Sequence, residues 1–461
     1  MNRIILFAAG VMCFSSLICR AQGDPIALHP DNPHYFKYKN SATILITSGE
    51  HYGSVLNTEF DFQKYHRALK KNGLNLTRLF TGAYLEPQGA FGITSNNLAP
   101  DTAHFICPWS RADQGDSVKF DLSKWDEAYM KRIKAVAESA NREDIIIELA
   151  LFCPFYDDSQ WKISPMNVVN NINNVGAVNK DDVYTLDKNG GLLSYQESMV
   201  RKLVTELNGF DNIIFEICNE PYFGGVTLEW QRHIASIIKA TEKSLPFKHL
   251  ISQNIANDSA VIKNPDPSVS VFNFHYATPP HAIRQNYELN KVIGDNETGF
   301  KGQADSTYRK EGWQIIMAGG GLYNNLDYSF TVGHEDGTFQ YPETTPGGGT
   351  ADLRKQLGSL AAFISRLHFI NMKPDRTSIT GGLNGARAYM LSDPGKEYAA
   401  YFLHGKALAL SIRLPKGKYT VEWFDPKSGE YVKSMKLNHN GGVAKITSPE
   451  YAWDIALKIS K

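Results

Sequence analysis

Disulfides cannot frame this chain, because it has few cysteines to build them from. Of five cysteines in 461 residues, Cys13 and Cys19 fall in an apolar leader, which leaves Cys107, Cys153 and Cys218. An odd count leaves at least one thiol free, and a chain of this length needs no disulfide framework. Cys153 and Cys218 end apolar runs and read as small buried hydrophobes rather than ligands or nucleophiles. No metal site and no cofactor are expected. Net charge is missing too: 48 Lys and Arg balance 48 Asp and Glu, so neither nucleic acid nor a charged membrane surface is an expected partner. Past the leader, no apolar stretch is long enough to cross a bilayer. The chain also lacks a Gly-rich dinucleotide fingerprint after its first strand, which argues against a doubly wound open sheet. It has no nucleophile-elbow pattern and no zinc helix motif, which ranks an exported esterase or peptidase last.

The leader itself reads as an export signal over residues 1–21. Arg3 gives a positive start, Ile4 to Leu17 is mostly apolar, and Cys19-Arg20-Ala21 surrounds a possible cut after Ala21. A lipid anchor on Cys19 is the rival reading, and the bulky Ile18 before it argues against that processing. The expected location is periplasmic or extracellular. Nothing in the sequence fixes an oligomeric state.

With 42% hydrophobic residues, the chain can bury a large core divided between two domains. Short apolar runs predict strands at Thr43 to Thr47, Leu74 to Phe80, Ile145 to Phe152, Ile213 to Cys218, Leu250 to Asn254, Val269 to His275, Val292 to Asp295 and Leu322 to Phe330. Helical periodicity predicts Phe60 to Lys71, Ser123 to Ala140, Leu193 to Leu207, Leu228 to Leu245, Thr307 to Met317 and Asp352 to Ile370 between most of them. This α/β alternation over residues 22–380 fits a parallel (β/α)8 TIM barrel. Two long connections, Tyr84 to Leu122 and Pro154 to Gly191, are expected to wall a cleft. Residues 381–461 change to short alternating runs separated by turns such as Asp393-Pro394-Gly395 and Asn440-Gly441-Gly442. These predict a small antiparallel β-sandwich, expected to cap the barrel rather than bind polysaccharide.

The chemistry is expected where the fourth strand ends, at Asn219-Glu220-Pro221. Parallel barrels keep their chemistry at the carboxyl ends of strands, and Pro221 fixes the backbone that carries the amide and the carboxylate. Tyr222 and Phe223 beside Glu220 should favour a retained proton, as a general acid needs. Glu297 ends the seventh strand and supplies a second carboxylate. Two carboxyl groups on facing strands can cross one glycosidic bond, one protonating the leaving oxygen and the other attacking the sugar carbon, with retention at a separation of about 5 Å. Glu335 is the rival for the second role. Glu50 and His51, closing the first strand, are expected to bind substrate hydroxyls or brace the site. Trp109, Tyr156, Trp161 and Tyr323 are candidate sugar-stacking rings, each equally suited to packing. His334 and Asp336 read either as loop hydrogen-bonders or as substrate contacts.

Asn219-Glu220-Pro221 ending strand four, with Glu297 ending strand seven, resembles the clan A glycoside hydrolases, the superfamily that includes cellulase-like family 5. The resemblance covers the barrel and implies hydrolysis with retention, Glu220 being the acid/base and Glu297 the nucleophile. It further implies that Arg78 supports the nucleophile, that His275 and Tyr276 belong to the site, and that Tyr276 hydrogen-bonds Glu297. Glu216 should face the barrel interior and could pair with Arg78. Asp295-Asn296 interrupt the apolar run that usually leads into the strand-seven Glu, and the usual Trp after strand eight is missing. The specific form expected first is an endo-β-glucanase acting on a β-linked oligo- or polysaccharide. The alternative is a barrel that binds carbohydrate without cleaving it.

Overall fold

Apolar runs bounded by polar turns fold here into a ring of eight parallel strands. The computed structural model describes residues 23–114 and 117–461, so the expected export signal lies outside the described residues. The strands are β1 (Leu45–Gly49), β2 (Leu76–Phe80), β3 (Ile146–Ala150), β4 (Ile213–Glu216), β5 (Leu250–Asn257), β6 (Val271–His275), β7 (Val292–Glu297) and β8 (Leu322–Leu326). They hydrogen-bond in the order β1-β8-β7-β6-β5-β4-β3-β2. Neighbours β1 and β2 have no ladder between them, and Asn75 bridges them. Its backbone N–H donates to Ile46 O at 3.2 Å, its Oδ1 accepts from Ile46 N at 2.9 Å, and its Nδ2 donates to Ile44 O at 2.9 Å. An amide side chain has the donor and acceptor of a peptide group, so it completes the ring where two strands diverge.

Among the described residues, seven helices surround the ring, α1 (Phe62–Lys71), α2 (Glu127–Arg142), α3 (Leu193–Leu207), α4 (Leu228–Glu242), α5 (His281–Asn286), α6 (Asp305–Met317) and α7 (Ala351–Ser365), and a further short helix, Asp158–Ile163, lies in the connection after β3. Four of the seven start at side chains that satisfy otherwise unpaired N–H groups: Asp61, Asp126, Thr227 and Thr350. Asp126 also corrects the expected start of the second helix at Ser123. Residues Ser117–Trp125 form a strand paired with Trp109–Gln114, and the helix begins only after Asp126 accepts from Tyr129 N. The long connection after β2 therefore carries a hairpin. The short α5 has too few turns to show a helical period.

Period-two alternation divides the barrel interior into layers. The lowest holds Leu45, Leu76, Ile146, Ile214, Leu250, Val271, Val292 and Leu322, sealed from below by Phe36 and Tyr38 of an N-terminal three-stranded sheet and by Ile26 just before it. Two residues further along the strands come Arg78, Glu148, Glu216, Ser252, Asn273 and Asn324, all buried and polar. An apolar floor thus supports a polar layer, and the open rim lies above it.

Residues 373–460 form a six-stranded sheet against a three-stranded one, with Phe402, Leu410, Ile412, Val421, Trp423 and Leu457 between or beside them in one core. The larger sheet packs on α6 and α7. Trp313 stacks on Tyr401 with ring centroids 5.3 Å apart, and Arg309 grips Asp454 through Nε at 3.0 Å and Nη2 at 2.7 Å.

Candidate active site

At the rim, Glu220 and Glu297 face each other across one cavity. Glu220 follows β4 in a left-handed backbone conformation, φ +35°, and its N–H donates to Asn254 Oδ1 at 3.0 Å. Tyr52 and Tyr276, with φ +58° and +53°, share this sparsely populated region. Such strain persists only where surrounding bonds impose it, and here it sets one carboxylate of the pair, Glu220, and the two hydroxyls, of Tyr52 and Tyr276, that donate to the other. Glu297 reaches the pair through a register shift. Asp295 pairs with Phe274 and Glu297 with His275, so Asn296 is an extra residue in β7. A bulge turns two consecutive side chains toward the same face. Asn296 Nδ2 therefore donates down to Glu216 Oε2 at 2.8 Å and Glu148 Oε2 at 3.1 Å, while Glu297 still faces the cavity. This accounts for the polar residues that interrupt strand seven in the sequence.

Glu297 accepts from Arg78 Nη1 at 3.0 Å and Tyr52 OH at 3.1 Å on one oxygen, and from Tyr276 OH at 2.9 Å on the other. The donors come from β2, the β1 exit and the β6 exit. Arg78 is itself fixed by Glu216, through Nε to Oε2 at 2.9 Å and Nη2 to Oε1, and by Asn219 Oδ1 at 2.6 Å. Burial opposes its charge, but Glu216 and its other neighbours outweigh this and hold the guanidinium pKa well above its ordinary value. Glu220 accepts from Tyr156 OH, from Tyr222 OH at 3.2 Å and from His275 Nδ1 at 3.1 Å.

His275 Nδ1 also lies 3.7 Å from Glu297 Oε1, so one imidazole sits against both carboxylates. Burial would lower its pKa; Glu297 and Glu220 outweigh burial and raise it above the usual histidine value. Burial would likewise raise the Glu220 carboxyl, but the hydrogen bond and charge of His275, with Tyr156 and Arg78, hold it below the usual range. The expectation that the neighbouring rings keep Glu220 protonated is thereby corrected. Tyr222 donates a hydrogen bond rather than only excluding water, and the exchangeable proton belongs to the Glu220–His275 pair.

Glu220, His275 and Glu297 each place one ligand-type atom within 4.8 Å of the others. The same atoms already receive donors from Arg78, Tyr52, Tyr276 and Tyr156, and a guanidinium bound to Glu297 disfavours a cation there. The arrangement suits acid–base and nucleophilic chemistry better than ligation.

Of the rings proposed for sugar stacking, only Tyr156 lines the cavity. Trp109 and Tyr323 are wholly buried, Tyr323 donating to Tyr308 O, and Trp161 is buried against Phe155 with its indole N–H on Val178 O. All three serve packing, which corrects their assignment to substrate. His51 lines the cavity, whereas Glu50 sits behind it, accepting from Gly53 N, Ser54 N and Asn97 Nδ2, and so braces the turn. Burial outweighs these donors and raises its carboxyl pKa. Glu335 lies off the cavity, bonded to Gly333 N at 2.9 Å and Asp61 N at 3.3 Å, and His334 and Asp336 both bond Thr338. Polar contacts within that loop and to Asp61 and Arg354 hold it in place. The cavity instead recruits Tyr52, Glu86, Phe91, Asn257 and Phe300, which sequence reasoning missed. Tyr52, next to His51 at the β1 exit, was the one placed to be found.

A family described as cellulase, glycosyl hydrolase family 5, matches residues 40–335, and a "Putative collagen-binding domain of a collagenase" matches residues 373–457. Among solved structures, a glycoside hydrolase is 15% identical over 95% of this chain and 97% of its own, with a TM-score of 0.62. A family 5 glycoside hydrolase from Bacteroides vulgatus is 14% identical over 95% and 93%, also at 0.62. The endo-1,4-β-mannanase of Rhizomucor miehei is 12% identical over 75% and 100%, at 0.51. At these identities the likeness is one of fold. No curated protein matches the chain.

Proposed function

Because this chain belongs to glycosyl hydrolase family 5, we propose that it cleaves β-linked glycosides with retention, using Glu297 as nucleophile and Glu220 as acid/base. The observation that carries this reading is the closeness of the two carboxylates, whose nearest ligand-type oxygens lie within 4.8 Å. Retaining enzymes hold their carboxyl groups about 5–5.5 Å apart, and inverting ones leave roughly 6.5–9.5 Å for a water.

In the first step a Glu297 oxygen bonds the anomeric carbon as the glycosidic C–O bond breaks. The leaving oxygen takes the proton held between Glu220 and His275, delivered through Glu220. In the second, Glu220 removes a proton from water, the water oxygen bonds the anomeric carbon, and the Glu297 ester bond breaks. Arg78, Tyr52 and Tyr276 supply fixed donors to the carboxylate that is attacking and later leaving. Formation of the glycosyl ester removes the Glu297 charge, the strongest neighbouring influence that raises the His275 pKa. The pair therefore releases its proton to the leaving oxygen as the ester forms and stands deprotonated for the base step.

A barrel that only binds carbohydrate would have no use for a guanidinium aimed at one carboxylate and an imidazole shared by both. Export to the periplasm or beyond is part of the proposal. It is supported by the leader sequence and by the match of residues 373–457; no helix among the described residues is long and apolar enough to cross a membrane. The carboxylate pair serves any β-linked sugar, an endo-β-glucanase included, so substrate choice lies in the cavity walls. Glu220→Gln and Glu297→Gln should each lower hydrolysis by several orders of magnitude with the fold intact, and near-normal rates in both refute the assignment.

A further inference from the structure

The cavity that contains the carboxylate pair is small and closed on one side. Its volume is about 240 Å³, below the roughly 300–1,000 Å³ of pockets that enclose drug-sized molecules. Toward the exits of β1 and β2 its wall is His51, Tyr84, Glu86 and Leu98, none more than 8% exposed. The exposed lining is elsewhere: Phe91, Phe223 and Phe300 are 44%, 42% and 38% exposed. Phe91 and Phe223 pack on Tyr156, the hydroxyl partner of Glu220, and Phe300 on Tyr276, the hydroxyl partner of Glu297. These rings mark the mouth, and the buried wall marks a blind end.

Glu86 stands in that wall and has no part in the bond-breaking steps. Its Oε1 accepts from Tyr84 OH at 3.1 Å; its Oε2 accepts from His51 Nε2 at 3.2 Å and from Asn96 Nδ2 at 2.5 Å. A carboxylate has about four acceptor positions, and three donors leave one for a ligand. A buried carboxylate lining a sugar-sized space is costly without that donor. Hydroxyl groups supply it; another carboxylate would repel it.

We propose that this is a blind pocket for one uncharged terminal sugar ring, inserted non-reducing end first, and that Glu86 binds its hydroxyls on the side away from the cleaved bond. The inference rests on the retaining-hydrolase reading only for its consequence in cleavage: sugars leave one at a time from the non-reducing end, in place of the internal cleavage expected from the sequence. Exclusion of uronic acid rings at this position follows from the charge on Glu86.

Two measurements on the full chain test this. Linear β-1,4-linked hexasaccharides of glucose, mannose and xylose, labelled at the reducing end, should yield monosaccharide as the sole early product while the labelled chain shortens by one unit at a time. Early dimers to tetramers from internal cleavage overturn the pocket. Separately, calorimetric titration with methyl β-pyranosides of gluco, manno, galacto and xylo configuration should show saturable binding of at least one. That binding should weaken roughly tenfold or more in Glu86→Gln and vanish for the corresponding uronide. Glu86→Asp, which keeps the charge, should bind more tightly than Glu86→Gln, with melting curves verifying that both variants fold. Unchanged binding in Glu86→Gln, equal binding of the uronide, or binding of none of the four glycosides overturns the proposal. If Glu86-dependent binding persists while an activated aryl β-glycoside of the sugar that binds is not cleaved, the hydrolase reading fails and the pocket stands.

Discussion

Replacing Arg78 by methionine keeps an unbranched apolar stem and removes a cation that two carboxylates share. Glu216, fully buried, loses its bonds to Nε and Nη2 and keeps Asn296 Nδ2 at 2.8 Å. Glu297 loses Nη1 and keeps the hydroxyls of Tyr52 and Tyr276. Removing one partner of a buried ion pair costs about 3–5 kcal/mol, a large part of the ~5–15 kcal/mol that holds a typical protein folded. Urea unfolding followed by tryptophan fluorescence should register that loss. Adding Glu216→Gln neutralises the stranded charge, so the double variant should recover roughly 1–3 kcal/mol, a coupling typical of residues in direct contact. Activity should not recover with it. Glu297 still lacks its fixed donor, and a misplaced reacting group costs about 10²-fold in rate. A loss below about 1 kcal/mol in the single variant, or no recovery in the double, refutes the view that Arg78 neutralises the barrel interior.

Other consequences are open to measurement. Burial, reinforced by Glu216, pushes the Glu148 carboxyl up to about 7. Its stabilising contribution is therefore full below the unfolded value of about 4.3 and is lost as pH rises through 7, a change of roughly 3 kcal/mol. Relative to wild type, Glu148→Gln should gain stability between pH 5 and 8; parallel pH curves for the two proteins would contradict this. Azide should restore turnover of an activated aryl β-glycoside by Glu220→Ala and give a β-glycosyl azide, since retention leaves the anomeric face open where Glu220 stood; absence of that product counts against the acid/base role. Arg309→Met strands Asp454, whose other side-chain donor is Tyr401 OH at 3.0 Å, beneath the sandwich. It should cost about 3–5 kcal/mol, and removal of residues 382–461 should leave Trp313 uncovered and the barrel insoluble. A soluble, active truncation would show that the sandwich does not cap the barrel.

Much of this could be read from residue order because two periods carry it. Alternation at two residues runs from Leu76 to Arg78 to Phe80 and from Ile214 to Glu216 to Cys218, which places Arg78 and Glu216 inside one barrel before any contact is known. Helical spacing separated most strands. What escaped depends on departures from period. The extra residue at Asn296 looks like a fault in strand seven until its register with His275 is seen. The paired strands Trp109–Gln114 and Ser117–Trp125 interleave polar with apolar residues inside a long connection, and they hid within a loop. Ring exposure is set by what packs above the ring: Trp109, Trp161 and Tyr323 disappear into the core, while Phe91 and Phe300, with nothing local to distinguish them, stand at the mouth. Glu86 lies in a connection without periodicity, and its role emerges only from the wall it shares with His51.

The central claim is that Glu297 attacks the sugar and Glu220 stands ready to activate water on the same face. Proton NMR of the first product released from a β-glycoside tests it most directly. Retention predicts that the β-anomer appears first and then mutarotates toward equilibrium, whereas the α-anomer appearing first would contradict the account.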